Sequence, residues 1–344
     1  MWFRNLIVYT VPRNWNVDAQ TLADWLAPHA FAPATSLEEA NLGWVPPRDG
    51  DPSLVYSVGR QLLLALREEK KLLPAKVITQ VVRQRAEAIE EQEGIKPGRR
   101  RLKELKEQVR DELLPRAFSL ASDTRVWIDP VDGWICVDTS SANRAGEVFT
   151  RLVRAIDGFA GKTLRTVESA GGAMTAWLVT DQPPAGFTID QDVELRARDS
   201  KATVRFANQT LAIDDVTRHT QAGKQCTKVA FTWAQRVSFV LTDKLEIKRV
   251  RPLDVLKDEG AGGESDGADA DERFASDWTL MTGELSRLLA DVVQALGGRA
   301  EAGSGGAGVD AGGGAGRSSG GAGSSSGGNS DNDAPPWETE RKAA

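Results

Sequence analysis

Apolar and polar positions alternate over the first part of the chain, in the pattern that half-buried β-strands require. The opening stretch "WFRNLIVYTV" is rich in aromatic and β-branched residues and predicts a strand. The stretch "DAQTLADWLAPH" predicts a short amphipathic helix, and "SLVYSVGRQLLLALREEKKLL" predicts two further strands. Residues 1–73 are therefore predicted to form the β-rich first part of the protein body.

The spacing of apolar residues then changes to that of a helix. From Pro74 to Glu93 they recur every three or four positions, and Pro74 suits the start of a helix because it has no N–H to leave unpaired. The sequence "GIKPG" interrupts this helix, and a second helix is predicted from about Arg99 to Leu114. Residues 74–117 are thus predicted to form a helical hairpin that protrudes from the body.

Strand patterns return after this segment. "TRVWIDPVDGWICVDTS" predicts a β-hairpin that turns around residues 131–133, and "SANRAGEVFTRLVRAIDG" predicts a helix with a Ser or Asn cap. The stretches "TAWLVT" and "ATVRFANQTL" are interpreted as short strands, and "KVAFTWAQRVSFVLT" as a strand with its extension. Residues 118–256 are predicted to complete an α+β body of antiparallel sheets.

The C-terminal part divides by composition. Residues 257–272 are acidic and glycine-rich, which is typical of a linker, and residues 273–298 predict a last amphipathic helix. Residues 299–344 are so rich in glycine and serine that they cannot bury enough apolar surface to offset their ordering entropy, so we expect a disordered tail. Its end, "SDNDAPPWETERKAA", is expected to be inert, and docking to another protein is the alternative hypothesis.

Charge is distributed unevenly along the 344 residues. The net charge is −6, yet residues 60–116 contain 15 basic and 10 acidic residues and carry +5, which leaves −11 for the rest. This asymmetry indicates a polyanion-binding surface on an otherwise acidic protein. No apolar run approaches the roughly 20 residues of a membrane span, and the start of the chain lacks a signal-peptide pattern, so we expect a cytoplasmic protein.

The second helix of the predicted hairpin sorts its charges into stripes. On a helical projection Arg99, Lys103, Lys106 and Arg110 fall within an arc of about 60°, beside an apolar seam. Three consecutive arginines also crowd the helix N-terminus, where the macrodipole disfavours cations. A solvated helix with internal ion pairs is the alternative, but an external phosphate better explains the sorting. The candidate DNA-binding residues of this segment are Lys76, Arg83, Arg99, Arg100, Arg101, Lys103, Lys106 and Arg110.

The sequence gives weaker support to a nucleotide-binding loop, a metal site or a nuclease. "GFAGKT" resembles the end of a phosphate-binding loop, but Ile156 occupies the position where that loop needs glycine. The two histidines have no partner at metal-ligand spacing, and Cys136 and Cys226 lie in apolar runs where we expect them to pack. Asp129 and Asp138 flank the predicted β-hairpin and could hold Mg²⁺ in a nuclease, although turn-forming or solvated carboxylates are commoner. We expect no metal and no cofactor.

An ordered series of motifs resembles the RdgC family of recombination-associated proteins over residues 1–298. The motifs are "MWFRNLIVYTV", "GWVPP", "EEKKLLPAKVI", "LLPRAF", "WIDPVDGWICVD", "AGKQCTKVAF" and "LMTGEL". The resemblance implies a non-enzymatic, nucleoid-associated protein of the bacterial cytoplasm. It would bind single- and double-stranded DNA with little sequence preference, as a ring-shaped homodimer of two horseshoe subunits, and restrain recombination promoted by RecA. A Mg²⁺-dependent nuclease and a scaffold that binds proteins through the hairpin seam are the alternatives.

The resemblance also assigns roles to individual residues. Phe118 in "LLPRAF" matches a phenylalanine associated with subunit contact, although sequence alone favours an ordinary core residue. Gln209 in "FANQTL" matches a position linked to DNA contact, while Asn208 stands where relatives can have lysine. Lys224 and Lys228 in "AGKQCTK" match the family pattern, and exposed lysines at a strand border are the alternative.

Overall fold

One antiparallel sheet runs through the part of the chain that the computed structural model describes, residues 2–35, 38–209, 211–256 and 270–300. Its strands are β1 (Leu6–Thr10), β2 (Ala40–Val45), β3 (Tyr56–Val58), β4 (Gln61–Lys71), β5 (Ser119–Asp129), β6 (Trp134–Asp138), β7 (Lys162–Thr163), β8 (Phe187–Ala197), β9 (Thr203–Phe206), β10 (Lys224–Trp233), β11 (Val237–Thr242) and β12 (Ile247–Pro252). The spatial order is β2-β4-β5-β6-β1-β12-β11-β10-β8-β9, while β3 pairs with β4 and β7 with β1. The predicted α+β class with an antiparallel sheet is confirmed.

Helices of eight or more residues accompany the sheet within the same ranges. They are α1 (Ala19–Leu26), α2 (Ala75–Glu93), α3 (Arg99–Leu113), α4 (Ala142–Ala155), α5 (Ala170–Thr180), α6 (Ile213–Gln221) and α7 (Ala270–Ala295). The two helices predicted between β4 and β5 are confirmed to within one residue. Gly94 ends α2 in a left-handed conformation, with φ 72°, and its N–H donates to the carbonyl of Glu90. This turn separates α2 from α3.

The half of the sheet around β4, β5, β6 and β1 is buried on both faces over part of its strands, from about Leu62 to Leu66 on β4 and Val126 to Asp129 on β5. Successive residues of β5 show this, because Val126 and Ile128 belong to one apolar cluster and Trp127 to another. Helices α1 and α4 cover the first face with side chains such as Leu22 and Leu152. The other face contributes to the larger core, which α7 also enters. Two-sided burial explains why these strands contain nearly continuous apolar runs.

The other half of the sheet, formed by β8 to β12, buries one face. Val229 and Phe231 on β10 join the larger core with Phe239 on β11, together with residues of α5 and α7. The opposite face carries charged side chains, including Glu194 and Lys228, and lines a cleft of about 390 Å³. Charged residues alternate with apolar ones in these strands because water reaches one side only.

The two halves meet where β1 pairs with β12. The two strands share a single paired position, Leu6 with Ile247, and a hydrogen bond of 2.9 Å from the N–H of Val250 to the carbonyl of Arg4. Helix α7 lies across this junction, and its buried Trp278 packs 6.2 Å from the ring of Phe3. The pairing of β1 with β12 is too short to hold the two halves firmly. Burial of apolar side chains under α7 therefore supplies much of the free energy that keeps them together.

Residues that follow α7 attach the end of the described chain to the sheet. The N–H of Ala300 donates to the carbonyl of Arg165, at 2.9 Å. The guanidinium of Arg299 lies 3.6 Å from the ring centre of Trp134 and donates to the carbonyl of Asp132. Arg299 thus belongs to the packed body. The predicted linker residues 257–269 and tail residues 301–344 lie outside the described ranges.

Two strand predictions in the second half of the chain are wrong. "TAWLVT" is the end of α5, which Ser169 caps by accepting a hydrogen bond of 3.3 Å from the N–H of Gly172. Because α5 is apolar on nearly all sides, its sequence has no helical periodicity to distinguish it from a buried strand. The "extension" of β10 is its antiparallel partner β11, since Ala234 and Gln235 both have positive φ and reverse the chain.

Three further elements differ from the predicted pattern. Helix α6 has no counterpart in the sequence prediction, and β8 runs for 11 residues where short strands were expected. Helix α7 begins at Ala270, inside the segment interpreted as linker, with Asp271 and Glu272 in its first turn. Acidic residues in a first turn complement the helix macrodipole, so they need not mark a solvated linker.

We predict that Arg236→Met destabilises the protein by about 3 kcal/mol, because a buried carboxylate loses its bidentate, less exposed partner and keeps only an exposed one. The guanidinium of Arg236 binds both carboxylate oxygens of the fully buried Glu284 on α7, at 3.1 and 3.0 Å. Arg287→Met is the matched control, since Arg287 binds the same carboxylate from an exposed position. We expect it to cost less than about 1 kcal/mol in urea unfolding. Equal losses of unfolding free energy in the two variants would contradict this explanation.

Candidate nucleic-acid interface

Helix α3 presents a cationic stripe to solvent. Arg99, Lys103 and Lys106 are exposed, and none of them forms an ion pair among the described residues. Arg110, the fourth member of the predicted stripe, pairs with Glu39 on the segment before β2 at 2.6 Å. The stripe therefore offers three unneutralised cations at spacings of one helical turn or less.

The remaining candidate DNA-binding residues on α2 and α3 also divide into cations that form an ion pair and cations that do not. Arg83 pairs with Glu87 at 2.9 Å, and Arg100 pairs with Glu104 at 3.1 Å, both at i,i+4 spacing. Lys76 and Arg101 are exposed and have no ion pair in the described part of the chain. The candidates without an intramolecular partner are therefore Lys76, Arg99, Arg101, Lys103 and Lys106. A helix built for internal pairing alone would neutralise most of them.

The N-terminus of α3 concentrates this charge. Gly98 provides no side-chain cap, and the first turn holds three arginines and no acidic residue. The positive end of a helix macrodipole attracts anions and repels these arginines. A polyanion that approaches the first turn would meet four unpaired backbone N–H groups as well as the guanidinium groups.

The apolar seam of α3 is used for packing. Leu105 and Val109 are buried, and so is Ile78 on α2, which α3 contacts. Arg85 on α2 also donates to Glu112 on α3, at 3.0 Å. Because the seam is already occupied, the alternative in which it binds a protein partner loses support.

Phe118 is strongly exposed, with 84% of its side chain accessible. It follows the turn that ends α3, and its carbonyl accepts a hydrogen bond of 2.7 Å from the N–H of Leu72. Leu72 and Leu120 are exposed beside it and alternate onto the same face of the β4 and β5 pair. The interpretation of Phe118 as an ordinary core residue is therefore wrong for this chain. Together Leu72, Phe118 and Leu120 form an apolar patch.

The residues predicted from the family pattern near β9 and β10 lie elsewhere. Gln209 is exposed just after β9, and Lys224 begins β10. Lys228 and Asn208 line the 390 Å³ cleft on the uncovered face. Because four strands lie between β5 and β10, these residues are about 25 Å from the base of the α2 and α3 pair along the sheet. The structure does not gather all the predicted cations into one local site.

Lys228 is neutralised within the cleft. Its ammonium group lies 3.0 Å from the carboxylate of Glu194, which Arg205 also binds at 2.7 Å. Partial burial acts to raise the pKa of Glu194, but hydrogen bonds from Arg205, Lys228 and Thr227 outweigh it and lower this pKa to about 2. Glu194 is thus a carboxylate at neutral pH that holds two cations in place.

Asp129 and Asp138, the candidate magnesium ligands, do not share a site. Asp129 ends β5 opposite Trp134, the first residue of β6, whereas Asp138 is the last residue of β6, so the two lie about 13 Å apart along the hairpin. Asp129 is buried and accepts hydrogen bonds from the N–H groups of Val131 and Asp132, as a turn-forming aspartate does. The described residues contain no group of three or more His, Cys, Asp or Glu side chains that could hold a metal ion.

The cysteines pack as expected. Cys136 and Cys226 are both buried in the larger core. Burial raises the pKa of the Cys136 thiol well above its ordinary value and that of Cys226 to about 12. Thiols of this kind are poor nucleophiles at neutral pH.

Sequence analysis missed a second group of cations on β12 and before β1. Arg249 and Arg251 are exposed on β12, and Arg4 is exposed immediately before β1. The positions are about 245 residues apart, so no local charge count could join them. The sequence does contain one signal for these cations. In "IKRVRP" the apolar Ile247 and Val250 are buried, and the cations between and after them are less buried or exposed.

These features describe an α+β protein with an exposed cationic helical pair, a separate apolar patch and no metal cluster in its described part. The chain belongs to the RdgC family. A family model described as "Putative exonuclease, RdgC" matches residues 1–299. None of the helices in the described ranges is long and apolar enough to cross a membrane.

Relatives of similar length share about half of their residues with this chain. The recombination-associated protein RdgC of Janthinobacterium sp. (strain Marseille) is 55% identical over 302 residues, which cover 88% of this chain and 99% of that protein. The protein of the same name from Herminiimonas arsenicoxydans is 54% identical over 299 residues, covering 87% and 98%. That of Cupriavidus pinatubonensis is 52% identical over 303 residues, covering 88% and 100%.

We predict that Glu194→Gln lowers the urea midpoint at pH 7 and loses this effect as the pH falls. The pKa of Glu194 is depressed in the folded state, so its contribution to stability is present above its ordinary value of 4.5 and disappears as the pH approaches about 2. Urea unfolding of both proteins between pH 7 and pH 2 measures the difference. Asp190→Asn is the control, because burial raises the pKa of Asp190 and predicts the opposite pH trend.

Proposed function

We propose that this protein binds single- and double-stranded DNA without sequence preference. The observation that carries the proposal is the set of exposed cations on α2 and α3 that have no intramolecular partner among the described residues. DNA phosphates supply the missing anions, and binding releases counterions from the duplex. Long, exposed Lys and Arg side chains contact phosphates in any sequence, so this surface contributes affinity and little base discrimination.

The proposal extends to assembly as a homodimer. Two exposed leucines and a phenylalanine beside the cationic helices form an apolar patch of the kind that marks a protein contact. A self-complementary contact through this patch would bring the cationic helices of two horseshoe subunits close together. A second contact at the far end of the sheet, too weak to hold two subunits together by itself, would close a ring around DNA.

A role in restraining recombination follows from this assembly. Relatives at more than half identity carry the name recombination-associated protein, which supports a recombination role for this chain. A protein that encircles DNA in the nucleoid obstructs the RecA filament or its strand exchange. The action needs no covalent chemistry, so we propose a non-enzymatic cytoplasmic protein without a cofactor.

The family model's description keeps a nuclease as the second candidate. Against it stands the separation of Asp129 from Asp138, since Mg²⁺ binds its ligands at about 2.1 Å and cannot bridge the two carboxylates. Incubation of labelled DNA with the protein and Mg²⁺ decides the matter. Cleavage that EDTA abolishes would establish the nuclease, and intact DNA supports the binding function.

We predict that Arg99→Gln, Lys103→Gln and Lys106→Gln together reduce the salt dependence of duplex binding. The plot of log affinity against log salt should lose about 3 from its slope, because each cation accounts for about one released counterion. The matched control replaces Arg154, Lys162 and Arg165, which are exposed, form no ion pair with any residue that the structure describes and lie outside α2 and α3, and it changes the net charge equally. A gel-shift titration at several salt concentrations measures both variants. Equal slopes for the variant and the wild type would contradict the proposal.

We predict that Phe118→Ala converts the dimer to a monomer. The side chain contributes almost nothing to the folded subunit, so the loss is confined to association. Light scattering should give twice 37.2 kDa for the wild type and 37.2 kDa for the variant. Val153→Ala removes an exposed apolar side chain from α4 and should leave the dimer intact. A wild-type monomer, or a dimer that survives Phe118→Ala, would exclude the apolar patch as the subunit contact.

A further inference from the structure

A cleft of about 540 Å³ opens where the segment before β1 meets β12. Its lining includes Trp2, Arg4, Arg249 and Arg251. The hydrogen bond from the N–H of Val250 to the carbonyl of Arg4 fixes the two segments side by side. Four side chains from two segments about 245 residues apart in the sequence therefore converge on one concave surface.

All the charged side chains that line this cleft are positive. Arg4 and Arg251 are exposed, and neither side chain forms an ion pair or hydrogen bond within the described residues. Arg249 reaches Asp192 at 3.4 Å, through a contact between two largely exposed side chains. The nearby Asp138 accepts hydrogen bonds from the backbone N–H groups of Arg4 and Asn5, and it does not line the cleft.

Trp2 adds a flat apolar surface to the three guanidinium groups. Its indole packs partly against the larger core and is half-buried, while its remaining surface lines the cleft. Contact with the core holds the ring in place, so stacking a ligand on it would cost little ordering entropy. An aromatic face beside guanidinium groups is the combination that binds unpaired nucleotides.

The backbone of β12 is distorted at this point. Arg249 has a positive φ of 54°, which is uncommon for a residue with a long side chain. It lies in a bulge, because two residues of β12 stand opposite one of β11 between the pairs Ser238 with Arg251 and Val240 with Lys248. Bulges redirect side chains and recur next to functional sites. Here Arg249 lines both this cleft and the 390 Å³ cleft beside it.

We infer that this cleft binds an unpaired nucleotide of a DNA strand, with the base stacked on Trp2 and the adjoining phosphates on Arg4 and Arg251. The inference that the ligand is DNA rests on the proposed function. The position of the site and its preference for an unpaired base rest on the residues that line the cleft. A paired base hides both faces in the stack and cannot cover the indole. The cleft therefore favours single-stranded over duplex DNA, a distinction that the cations of α3 do not make.

The first experiment compares Trp2→Ala with the wild type on an oligothymidine and on a duplex of equal length. We expect the variant to bind the single strand about 5- to 100-fold more weakly, as the loss of one stacked base predicts, and to change duplex affinity by less than about twofold. Trp2→Phe should recover part of the single-strand affinity. Trp177→Ala is the matched control, because Trp177 packs against the same core but lines an apolar cleft without charged residues.

The second experiment removes phosphate contacts without disturbing the core. Arg4→Gln and Arg251→Gln replace exposed side chains, and each should reduce the salt slope of single-strand binding by about 0.7. The affinity of free thymidine monophosphate for the wild type, and competition by polyglutamate, are measured with the same protein.

Several results would overturn the inference. They are unchanged single-strand affinity in Trp2→Ala, an equal loss in Trp177→Ala, an equal loss on the duplex, and competition by polyglutamate as strong as by the oligothymidine. Free nucleotide that binds as tightly as the oligothymidine would also overturn it in favour of a mononucleotide site. If the wild type binds the duplex with strong salt dependence while Trp2→Ala has no effect, the proposed function stands and only the cleft is rejected. A wild type that binds no DNA removes both.

Discussion

The packing of α7 across the junction between β1 and β12 is the contact on which the rest of the structure depends. The two strands share one paired position, so the backbone ladder alone holds the halves of the sheet weakly. Helix α7 buries Trp278, Leu285 and Leu289 in a core that takes residues from both halves. Its Glu284 is anchored by Arg236 beside the turn between β10 and β11. Apolar burial supplies the cohesion, and the ion pair fixes where the helix lies.

This arrangement also determines which surfaces carry charge. The part of the sheet covered on both faces has little room for polar side chains, so the charges of this half lie towards the less buried ends of β4 and β5 and on the helices between those strands. The half covered on one face leaves its charged residues on the sheet, where Glu194 neutralises Arg205 and Lys228. On α3, Arg99, Arg101, Lys103 and Lys106 have no ion pair within the described residues, although the two regions look similarly basic in the sequence. The proposed DNA contact therefore rests on which cations lack partners, and a charge count does not report this.

Local patterns predicted the elements whose periodicity and boundaries are both encoded nearby. Helices α2 and α3 have clear helical spacing, a proline at the start and glycines between them, and their bounds were predicted to within one residue. The β5 and β6 hairpin has a turn sequence between two alternating runs. By contrast, α5 is apolar on nearly all sides and its sequence lacks a polar face, so "TAWLVT" was taken for a strand. Its helical state is decided by the cap at Ser169 and by packing against β10.

The sequence by itself determined the class of fold, the cationic stripe of α3 and membership of a family, because each is written in short-range order or in an ordered series of motifs. Only the tertiary structure decided that Phe118 faces solvent, that Arg110 is neutralised by Glu39, and that Asp129 and Asp138 stand apart. It also brought Trp2 and Arg4 beside Arg251, from which they are separated by about 245 residues in the sequence. These outcomes depend on which strands become neighbours, and strand pairing is set by burial summed over the whole sheet, which no local window of residues contains.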